Sequence, residues 1–593
     1  MNFEAFLSPT DSSHSLLQRY QACKAMAKGY AESKKTDKSR LAHGRAFCAE
    51  VIEAYWEEVA QRHRTTMKVK PRPEGLPRLT EDVRRVAHSI GGLIAQFPVE
   101  DAGYLVGSIY TVTLPSELRS ELGAFYTPPP LVARLLDLAE EAGFDFTYGR
   151  VIDPACGGGA FLAPVALRMV DRAKGASADW LLKSLGKRLR GIEIDPFAAW
   201  MTRVLLEAAI MPLCVKAKRR LADVVVVADA LEPQDIGEFD LVIGNPPYGR
   251  ISLPEPLRKR YARSLFGHAN LYGLFTDLAL RLTKSGGVVA YLTPTSFLGG
   301  QYFKALRTLL TQEAAPVAFD FVADRNGVFD NVLQETLLTT YLKKEKITPV
   351  TVSVLVPQGL NTARIEHIGK VKIDVSGAPW ILPRNASDAD FLQSLSKMST
   401  RLSDLGYSVS TGPLVWNRHK DQLMHKATAK SLPLVWAESV TSQGFKYSAE
   451  RRNHLPYVEV RERQQHLITN RSCVLVQRTT SKEQSRRLMA ALLPQEFLNK
   501  HRGVVVENHL NMVTPQAGAS LQVSPATVTA LLNSEVVDRA FRCISGSVAV
   551  SAYELNAIPM PSFRDLRRID LMVNNKAPAD MIEREIALCY GVR

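Results

Sequence analysis

Residues 239–248 constrain this chain more than any other segment. An apolar strand stops at Gly244, and two prolines then stiffen the following loop and remove two backbone donors. The loop therefore presents an amide, a peptide carbonyl and an aromatic ring at the carboxyl end of a strand, where open α/β sheets bind ligands. The oxygens of Asn245 and Pro246 suit a planar substrate with an exocyclic NH2 group, and Tyr248 suits stacking on its ring.

Three acids follow three predicted strands upstream of this loop. Asp153 ends the first strand, before the glycine-rich turn 154–159, where glycine lets the backbone approach a ligand closely. Glu193 ends the second strand, the usual position of a carboxylate that holds two ribose hydroxyls. Asp229 follows the third strand and could accept a hydrogen bond from an adenine amino group. Each acid alone reads equally well as a helix cap or a solvated loop residue, but their order favours a ligand site.

These motifs resemble those of the amino-methylating DNA methyltransferases. Their order is similar to that of the gamma class of N6-adenine enzymes, the TaqI and Eco57I types, in which a Thr-Pro element precedes the first strand. The matching segments in the catalytic part are 123–129, 151–162, 191–195, 228–230, 245–248, 270–275, 286–292 and 328–329. The resemblance covers roughly residues 120–345. It is looser after residue 400, where segments 477–480, 507–509, 530–534 and 551–561 are similar to target-recognition regions.

The resemblance implies a doubly wound, Rossmann-like α/β core that depends on S-adenosylmethionine. Strands alternating with helices between residues 121 and 345 predict the same sheet independently. Apolar residues at helical spacing over 42–59 and 83–94 predict helices before it, which form a cap on the core. The expected domains are a helical N-terminal arm (1–120), a catalytic domain (121–345), a connector (346–400) and an α+β target-recognition domain (401–593).

The resemblance also assigns roles to individual residues. Asn245 and Pro246 would accept both amino hydrogens of a flipped adenine, and Tyr248 would stack on its ring. Phe329 would close on the base from another side, or else pack in the core. The residues expected to hold S-adenosylmethionine are Thr127, Asp153, Pro154, Ala155, Cys156, Gly157, Glu193, Asp229, Pro247 and Phe275. No cysteine nucleophile is required, and Cys156 is expected to be a small packing residue.

The charge of the chain points to a polyanionic partner. The 593 residues carry a formal net charge of +14 and a pI near 9.3, which favours double-stranded DNA, although a merely basic protein is an alternative. Arg258, Lys259 and Arg260 directly follow the 245–248 loop and are expected to contact phosphates. Arg478 and Arg487 are expected to contact DNA from the recognition domain. Each of these side chains could instead belong to a solvated face.

Cysteine, histidine and hydropathy patterns narrow the function classes. Seven cysteines without a Cys-x-x-Cys pair and twelve histidines without ligand spacing indicate neither a disulfide framework nor a metal site. No stretch reaches the ~20 apolar residues that a membrane span requires. We therefore expect a bacterial cytoplasmic protein that binds no metal and no membrane.

Other functions remain open at this point. The Asn-Pro-Pro-Tyr loop also occurs in enzymes that methylate protein glutamine or ribosomal RNA, but without the Thr-Pro element and so long a C-terminal half. A fused nuclease would need a Pro-Asp…Glu-x-Lys site, of which 32–34 is the only fragment. A modification subunit and a catalytically dead DNA-binding protein are further alternatives. The sequence favours a self-contained modification enzyme, with a separate restriction endonuclease as its possible counterpart.

Overall fold

The computed structural model describes residues 15–121, 126–233, 235–323, 335–479, 486–544 and 549–592. They divide into two compact units. The first comprises Met1–Pro294 and Thr308–Lys372, and the second comprises Thr295–Arg307 and Ile373–Arg593. The segment 295–307 therefore belongs to the second unit although it lies within the expected catalytic domain.

A nine-stranded sheet forms the centre of the first unit. The strands of this unit are β1 (Val151–Asp153), β2 (Leu189–Glu193), β3 (Val225–Val227), β4 (Phe239–Gly244), β5 (Arg250–Ile251), β6 (Ala269–Asn270), β7 (Thr283–Pro294), β8 (Ala314–Val322), β9 (Thr336–Lys343), β10 (Val350–Pro357) and β11 (Ala363–Val371). The sheet order is β3-β2-β1-β4-β7-β9-β8-β10-β11. Strands β3, β2, β1, β4 and β7 are parallel, whereas β9 runs antiparallel to both of its neighbours.

The strand order reverses between β1 and β4, which is the switch point where doubly wound sheets bind ligands. Both strands are apolar runs with buried side chains, as strands covered on both faces require. The doubly wound α/β prediction is confirmed. The expected domain end at 345 is corrected, because β10 pairs with β8 and β11 with β10, so the sheet continues to residue 371.

Helices surround this sheet and precede it. Their bounds are α1 (Leu16–Glu32), α2 (Asp37–Arg62), α3 (Glu81–Ile94), α4 (Ala102–Thr113), α5 (Ser116–Glu121), α6 (Pro129–Glu141), α7 (Leu162–Arg172), α8 (Ala178–Arg188), α9 (Pro196–Ala209), α10 (Met211–Ala217), α11 (Glu255–Arg260) and α12 (Leu271–Leu282). Helices α2 and α3 confirm the helical spacing read from the sequence. The arm shares one apolar core with α9, to which α9 contributes Phe197, Trp200 and Met201. The arm is therefore packed into the first unit.

The second unit is α+β, as expected. Its helices, including α14, which continues into the first unit, are α13 (Ser296–Gly299), α14 (Lys304–Glu313), α15 (Asp388–Leu395), α16 (Gln495–His501), α17 (Pro525–Asn533), α18 (Glu535–Ile544), α19 (Ala552–Asn556), α20 (Phe563–Asn574) and α21 (Ala579–Cys589). Its strands are β12 (Tyr407–Thr411), β13 (Leu423–Met424), β14 (Ser431–Val435), β15 (Val440–Thr441), β16 (Gly444–Phe445), β17 (Tyr457–Glu459), β18 (Ile468–Thr469), β19 (Val474–Gln477), β20 (Ala490–Leu492), β21 (Val504–Val506) and β22 (Leu510–Pro515). They form the sheets β12-β22-β19-β20, β13-β17-β14-β21-β18 and β15-β16.

Within the described ranges, no single helix is long and apolar enough to cross a membrane. One bent pair, α9 with α10, passes that test by length and composition only.

Candidate active site

A cavity of about 250 Å³ lies at the carboxyl ends of β1 to β4. Every residue expected above to hold the cofactor lines this cavity, from Thr127 to Phe275, and Asn245 lines it as well. These residues come from segments widely separated in sequence and meet because the ends of parallel strands share one edge of the sheet. The sequence prediction of which residues converge here agrees with the structure, while their roles remain predictions.

Asp153 lies at the floor of the cavity and is 1% exposed. Its Oδ1 accepts a hydrogen bond of 3.0 Å from the Ala155 N–H, whereas its Oδ2 is buried and has no hydrogen-bond partner among the described residues. Burial raises the pKa of this carboxyl from 3.8 to about 8. Gly244 of β4 passes so close that a Cβ there would stand 2.6 Å from Oδ1. A buried oxygen that lacks a partner fits a ligand that brings its own donor.

The glycine-rich turn after β1 requires glycine for its backbone conformation and, at Gly158, for lack of space. Gly157 and Gly159 have φ values of 52° and 86°, which favour glycine, and a Cβ on Gly158 would meet the Tyr126 ring at 2.6 Å. Cys156 is buried, its N–H donates to the Ile192 carbonyl, and burial holds the pKa of its thiol well above the ordinary value. These observations agree with a packing role for Cys156.

Glu193 is oriented by two backbone donors. The Gly157 N–H donates to Oε2 and the Asp195 N–H to Oε1, each at 2.9 Å. Burial raises the pKa of this carboxyl above its ordinary value. Each oxygen keeps a second lone pair for a ligand hydroxyl.

Several residues that line the cavity were missed by sequence reasoning, and three of them bear on ligand binding. Ile194 lies between two acids, lines the cavity and is 58% exposed, so its side chain is accessible to a ligand there. Its position directly after the strand-end acid was the available signal. Tyr110 and Tyr126 also line the cavity, and Tyr126 lay within the quoted Thr-Pro element. No local pattern singled out Tyr110.

Asn245 is held by the Thr-Pro element. Its Nδ2 donates to the Thr127 Oγ1 at 3.1 Å, and Thr127 is 2% exposed. Pro246 and Tyr248 lie beside the cavity lining; the Tyr248 hydroxyl donates to the Leu292 carbonyl at 3.3 Å. The Tyr248 ring meets the Tyr272 ring edge-on, with centroids 6.1 Å apart. Phe329, expected to close on the base, lies outside the described residues.

The chain after Tyr248 forms a loop whose two ends are joined by the pairing of β5 with β6. Helix α11 within it carries Arg258 and Lys259 exposed and Arg260 half-buried. Lys259 lies 3.8 Å from Glu255 in an exposed ion pair, which contributes little. Arg263, by contrast, is bound to Asp277 and Glu313. The structure therefore presents the first two cations to solvent.

In the second unit, three motif segments adjoin one another. The Arg478 N–H donates to the His509 carbonyl at 2.9 Å, and the Arg478 carbonyl accepts from the Val550 N–H at 2.7 Å. Arg478 Nη1 also donates to the Asn508 carbonyl at 3.2 Å. Glu507 is fully buried and binds the His509 ring and N–H. Arg478 thus organises these segments, and its contact with DNA remains a prediction.

The burial of Arg487 contradicts its expected contact with DNA. It is 3% exposed, whereas a phosphate contact requires an accessible guanidinium. The reason lies in α18, where Asp538 Oδ1 accepts the N–H groups of Arg487 and Leu488, both at 2.6 Å, and draws this segment inward. The expected DNA contact of Arg487 is therefore wrong for this structure.

No group of three or more His, Cys, Asp or Glu side chains in the described part of the chain is arranged to hold a metal ion.

The chain is similar to restriction-modification proteins. The sequence model of the Eco57I restriction-modification methylases matches residues 187–329. The type II methyltransferase M.BsuBI of Bacillus subtilis is 26% identical over 457 residues, which cover 76% of this chain and 89% of that protein. The type II methyltransferase M.PstI of Providencia stuartii is 28% identical over 342 residues, 56% of this chain and 67% of that protein.

The fold has a solved counterpart along nearly its whole length. The type IIL restriction-modification enzyme MmeI, solved in complex with DNA, superposes with a TM-score of 0.55 at 14% identity, covering 98% of this chain and 92% of that one. At that identity the likeness concerns the fold alone. The matched segment, the relatives and the strand-end motifs agree, and over residues 187–329 the chain is similar to the Eco57I restriction-modification methylases.

Proposed function

We propose that this chain transfers a methyl group from S-adenosylmethionine to the N6 amino group of an adenine extruded from double-stranded DNA. The observation that carries the proposal is the convergence of Asp153, Glu193, Asp229 and Asn245 on one cavity at the switch point of the sheet. Three acids suit the amino groups and hydroxyls of the cofactor, and an amide beside them suits an exocyclic amine.

When bound, S-adenosylmethionine supplies an electrophilic methyl group on a sulfonium. Asp153 Oδ2 accepts from the amino group of the methionine end, since it is the buried oxygen without a partner among the described residues. Glu193 accepts from the ribose hydroxyls with the lone pairs that its two backbone donors leave. Asp229, whose Oδ1 accepts the Leu231 N–H at 2.9 Å, faces the adenine end. Ile194 and Phe275 supply the apolar walls.

Asn245 and Pro246 activate the target amine. The lone pair of an aromatic amine is delocalised into its ring, which makes the amine a poor nucleophile. Two acceptors on its hydrogens, Asn245 Oδ1 and the Pro246 carbonyl, draw the nitrogen toward tetrahedral geometry and aim its lone pair at the methyl group. Positioning and electrostatics then supply most of the acceleration, without a covalent intermediate on the protein.

A base inside a duplex cannot reach this loop, so the adenine must be flipped. Tyr248 stacks on the extruded base, and Phe329 closes on it from another side. Arg258, Lys259 and Arg260 hold the flanking phosphates, and the second unit chooses the sequence through loops that include Arg478. The chain works without a partner subunit, in the bacterial cytoplasm, and protects one short sequence against a separate endonuclease.

The test uses purified full-length protein, unmethylated plasmid and labelled S-adenosylmethionine, with no metal and a chelator present. We expect N6-methyladenine at one short sequence, identified by nucleoside mass spectrometry and by sequencing that detects modified bases. Labelled RNA or protein in place of labelled DNA would overturn the choice of substrate. Methylation of cytosine would overturn the choice of base, and activity only after a second polypeptide is added would overturn the self-contained mode.

A further inference from the structure

The helical arm reaches the cofactor cavity through Tyr110, which is bound by Arg45 of the same arm. Tyr110 of α4 lines the cavity together with Glu193, Ile194 and Asp195. Arg45 of α2 lies directly behind Tyr110, and its Nε donates to the Tyr110 hydroxyl at 3.1 Å. The arm was expected to form a helical cap, but these contacts lie at a ligand site.

Both side chains converge on one carboxylate. Arg45 donates to Asp195 Oδ1 at 2.9 Å, and the Tyr110 hydroxyl donates to Asp195 Oδ2 at 2.9 Å. Asp195 is 5% exposed, and its Oδ1 also accepts the Phe197 N–H at 3.0 Å, which caps α9. Three donors therefore hold this carboxylate in place, and Asp195 serves as a fixed point.

That fixed point determines where Glu193 lies. The Asp195 N–H donates to Glu193 Oε1 at 2.9 Å, and the Gly157 N–H donates to Oε2 at 2.9 Å. A carboxylate aimed by two backbone donors keeps its geometry only while both donors keep theirs. The route therefore runs from Arg45 and Tyr110 through Asp195 to the carboxylate that faces the cavity.

Packing around this route is close, as positioning requires. The Tyr110 ring lies 5.1 Å from the Phe197 ring, and the Arg45 guanidinium lies 5.8 Å from the same ring. Tyr126 lies between the glycine turn and α4, since a Cβ would meet its ring at 2.6 Å on Gly158 and at 2.2 Å on Gly107. Helix α4 therefore contacts Tyr126, which in turn packs against the glycine turn.

We propose that the N-terminal arm is part of the cofactor-binding machinery, with Tyr110 as a wall of the site and Arg45 as a positioning residue that orients Glu193 through Asp195. The proposal rests on the proposed function, because Glu193 is its endpoint as the ribose ligand. In this proposal the arm contributes to the affinity for the cofactor. Catalysis is left to Asn245, and recognition of the DNA sequence is left to the second unit.

The experiment measures S-adenosylmethionine affinity of the full-length protein by calorimetry, together with steady-state turnover on DNA. Arg45→Ala should weaken binding about tenfold, the weight of one charge-assisted hydrogen bond, and raise the KM for S-adenosylmethionine equally. The kcat and the KM for DNA should stay unchanged. Arg45→Lys, which keeps the charge but not the two-pronged geometry, should recover part of the affinity.

Arg84→Ala is the matched control. Arg84 lies on α3 of the same arm and pairs with Glu50 and Glu81, away from Asp195. Its loss should lower thermal stability without changing cofactor affinity. An equal loss of affinity in both variants would reduce Arg45 to a structural residue of the arm and overturn the proposal.

A double-variant cycle tests the route itself. If Arg45 acts through Glu193, then Arg45→Ala should have little further effect in a Glu193→Gln background; fully additive losses would overturn the route. Should Arg45→Ala fail to fold, Tyr110→Phe carries the test, since it removes one oxygen atom and should weaken binding about threefold. Wild-type protein that does not bind S-adenosylmethionine would refute the proposed function, whereas normal wild-type activity with unaffected variants would refute only this inference.

Discussion

Asn245 and Thr127 are joined by a hydrogen bond of 3.1 Å from the amide nitrogen to the hydroxyl oxygen, across 118 residues of sequence. The bond decides which way the amide faces, because an amide that donates through Nδ2 turns its Oδ1 to the opposite side. The Thr-Pro element, which lies outside the Asn-Pro-Pro-Tyr loop, therefore orients the amide oxygen that we propose as an acceptor in the reaction.

Replacing Asn245 should strongly reduce turnover while leaving the cofactor site intact. Asn245→Ala should lower kcat by about 10²–10³-fold, since the acceptor acts mainly as the transition state forms. Thr127→Val removes only the hydroxyl and should lower kcat by about tenfold at saturating cofactor. Single-turnover kinetics with calorimetric cofactor affinity checks both. Additive effects in the double variant would contradict an action of Thr127 through Asn245.

Glu193→Ala should weaken S-adenosylmethionine binding by about 1–3 kcal/mol through loss of hydrogen bonds to the ribose. Isothermal calorimetry in the presence of a chelator measures the change. Asp223→Ala serves as a control, because Asp223 is an exposed acid whose ion pair with Arg203 lies at the surface. Unchanged affinity in Glu193→Ala would remove this residue from the ribose role.

Cofactor affinity should depend on pH through Asp153. Burial raises the pKa of this carboxyl to about 8, so it is mostly protonated at neutral pH in the free protein. An amino group of the ligand favours the ionised form, so binding should release a proton and tighten as pH rises toward 8. Titrations in buffers of different ionisation enthalpy measure the release. In Asp153→Asn the carboxyl is absent, so any remaining pH dependence of affinity comes from the ligand. If this variant and wild type showed the same pH dependence, the assignment to Asp153 would be contradicted.

The raised pKa of Asp153 also makes the stability of the free protein depend on pH. A carboxyl whose folded pKa lies above its ordinary 3.8 stabilises the fold fully below that pH and loses the contribution as pH rises through about 8. Chemical denaturation measures the free energy of unfolding of the free protein. Raising the pH from 5 to about 8 should lower this free energy less in Asp153→Asn than in wild type.

Tyr248→Phe should retain most activity, and Tyr248→Ala should lose it. The Phe variant gives up one hydrogen bond of 3.3 Å to Leu292, whereas the Ala variant loses the ring on which we propose that the base stacks, at a cost of about 1–3 kcal/mol. Turnover at low DNA concentration and 2-aminopurine fluorescence at the target position measure the two effects. Equal inactivity of both variants would mean that the hydroxyl, and not the ring face, is essential.

Arg258→Ala should weaken DNA binding uniformly across sequences. A phosphate contact neutralises one charge, so its loss should reduce the slope of log K against log salt by about one. Fluorescence anisotropy at several salt concentrations measures this, with Arg84→Ala as a control for the change of net charge. A loss confined to the target sequence would instead identify Arg258 as a base contact.

The strand-end residues were predictable because each is marked locally. Asp153, Glu193 and Asn245 each follow an apolar run, and parallel strands bring their ends together without further information. The Arg45–Asp195 pair was not predictable, because its partners are 150 residues apart and Arg45 stands in no motif. The burial of Arg487 is likewise decided by Asp538, 51 residues away, whereas its sequence neighbourhood is simply basic. Strands β10 and β11 were read as a connector because they follow the last recognised motif.

The assignment of 295–307 to the second unit bears on how recognition specificity could be exchanged between related proteins. A chimera cut once after the catalytic motifs would combine Arg307 of one parent with Gly377 and Ala378 of the other, although its guanidinium donates to both of those carbonyls. A chimera that keeps the second unit whole exchanges two pieces, residues 295–307 and everything from residue 373 onward. Because the second unit is the proposed DNA reader, an exchange of specificity requires that both pieces be moved together.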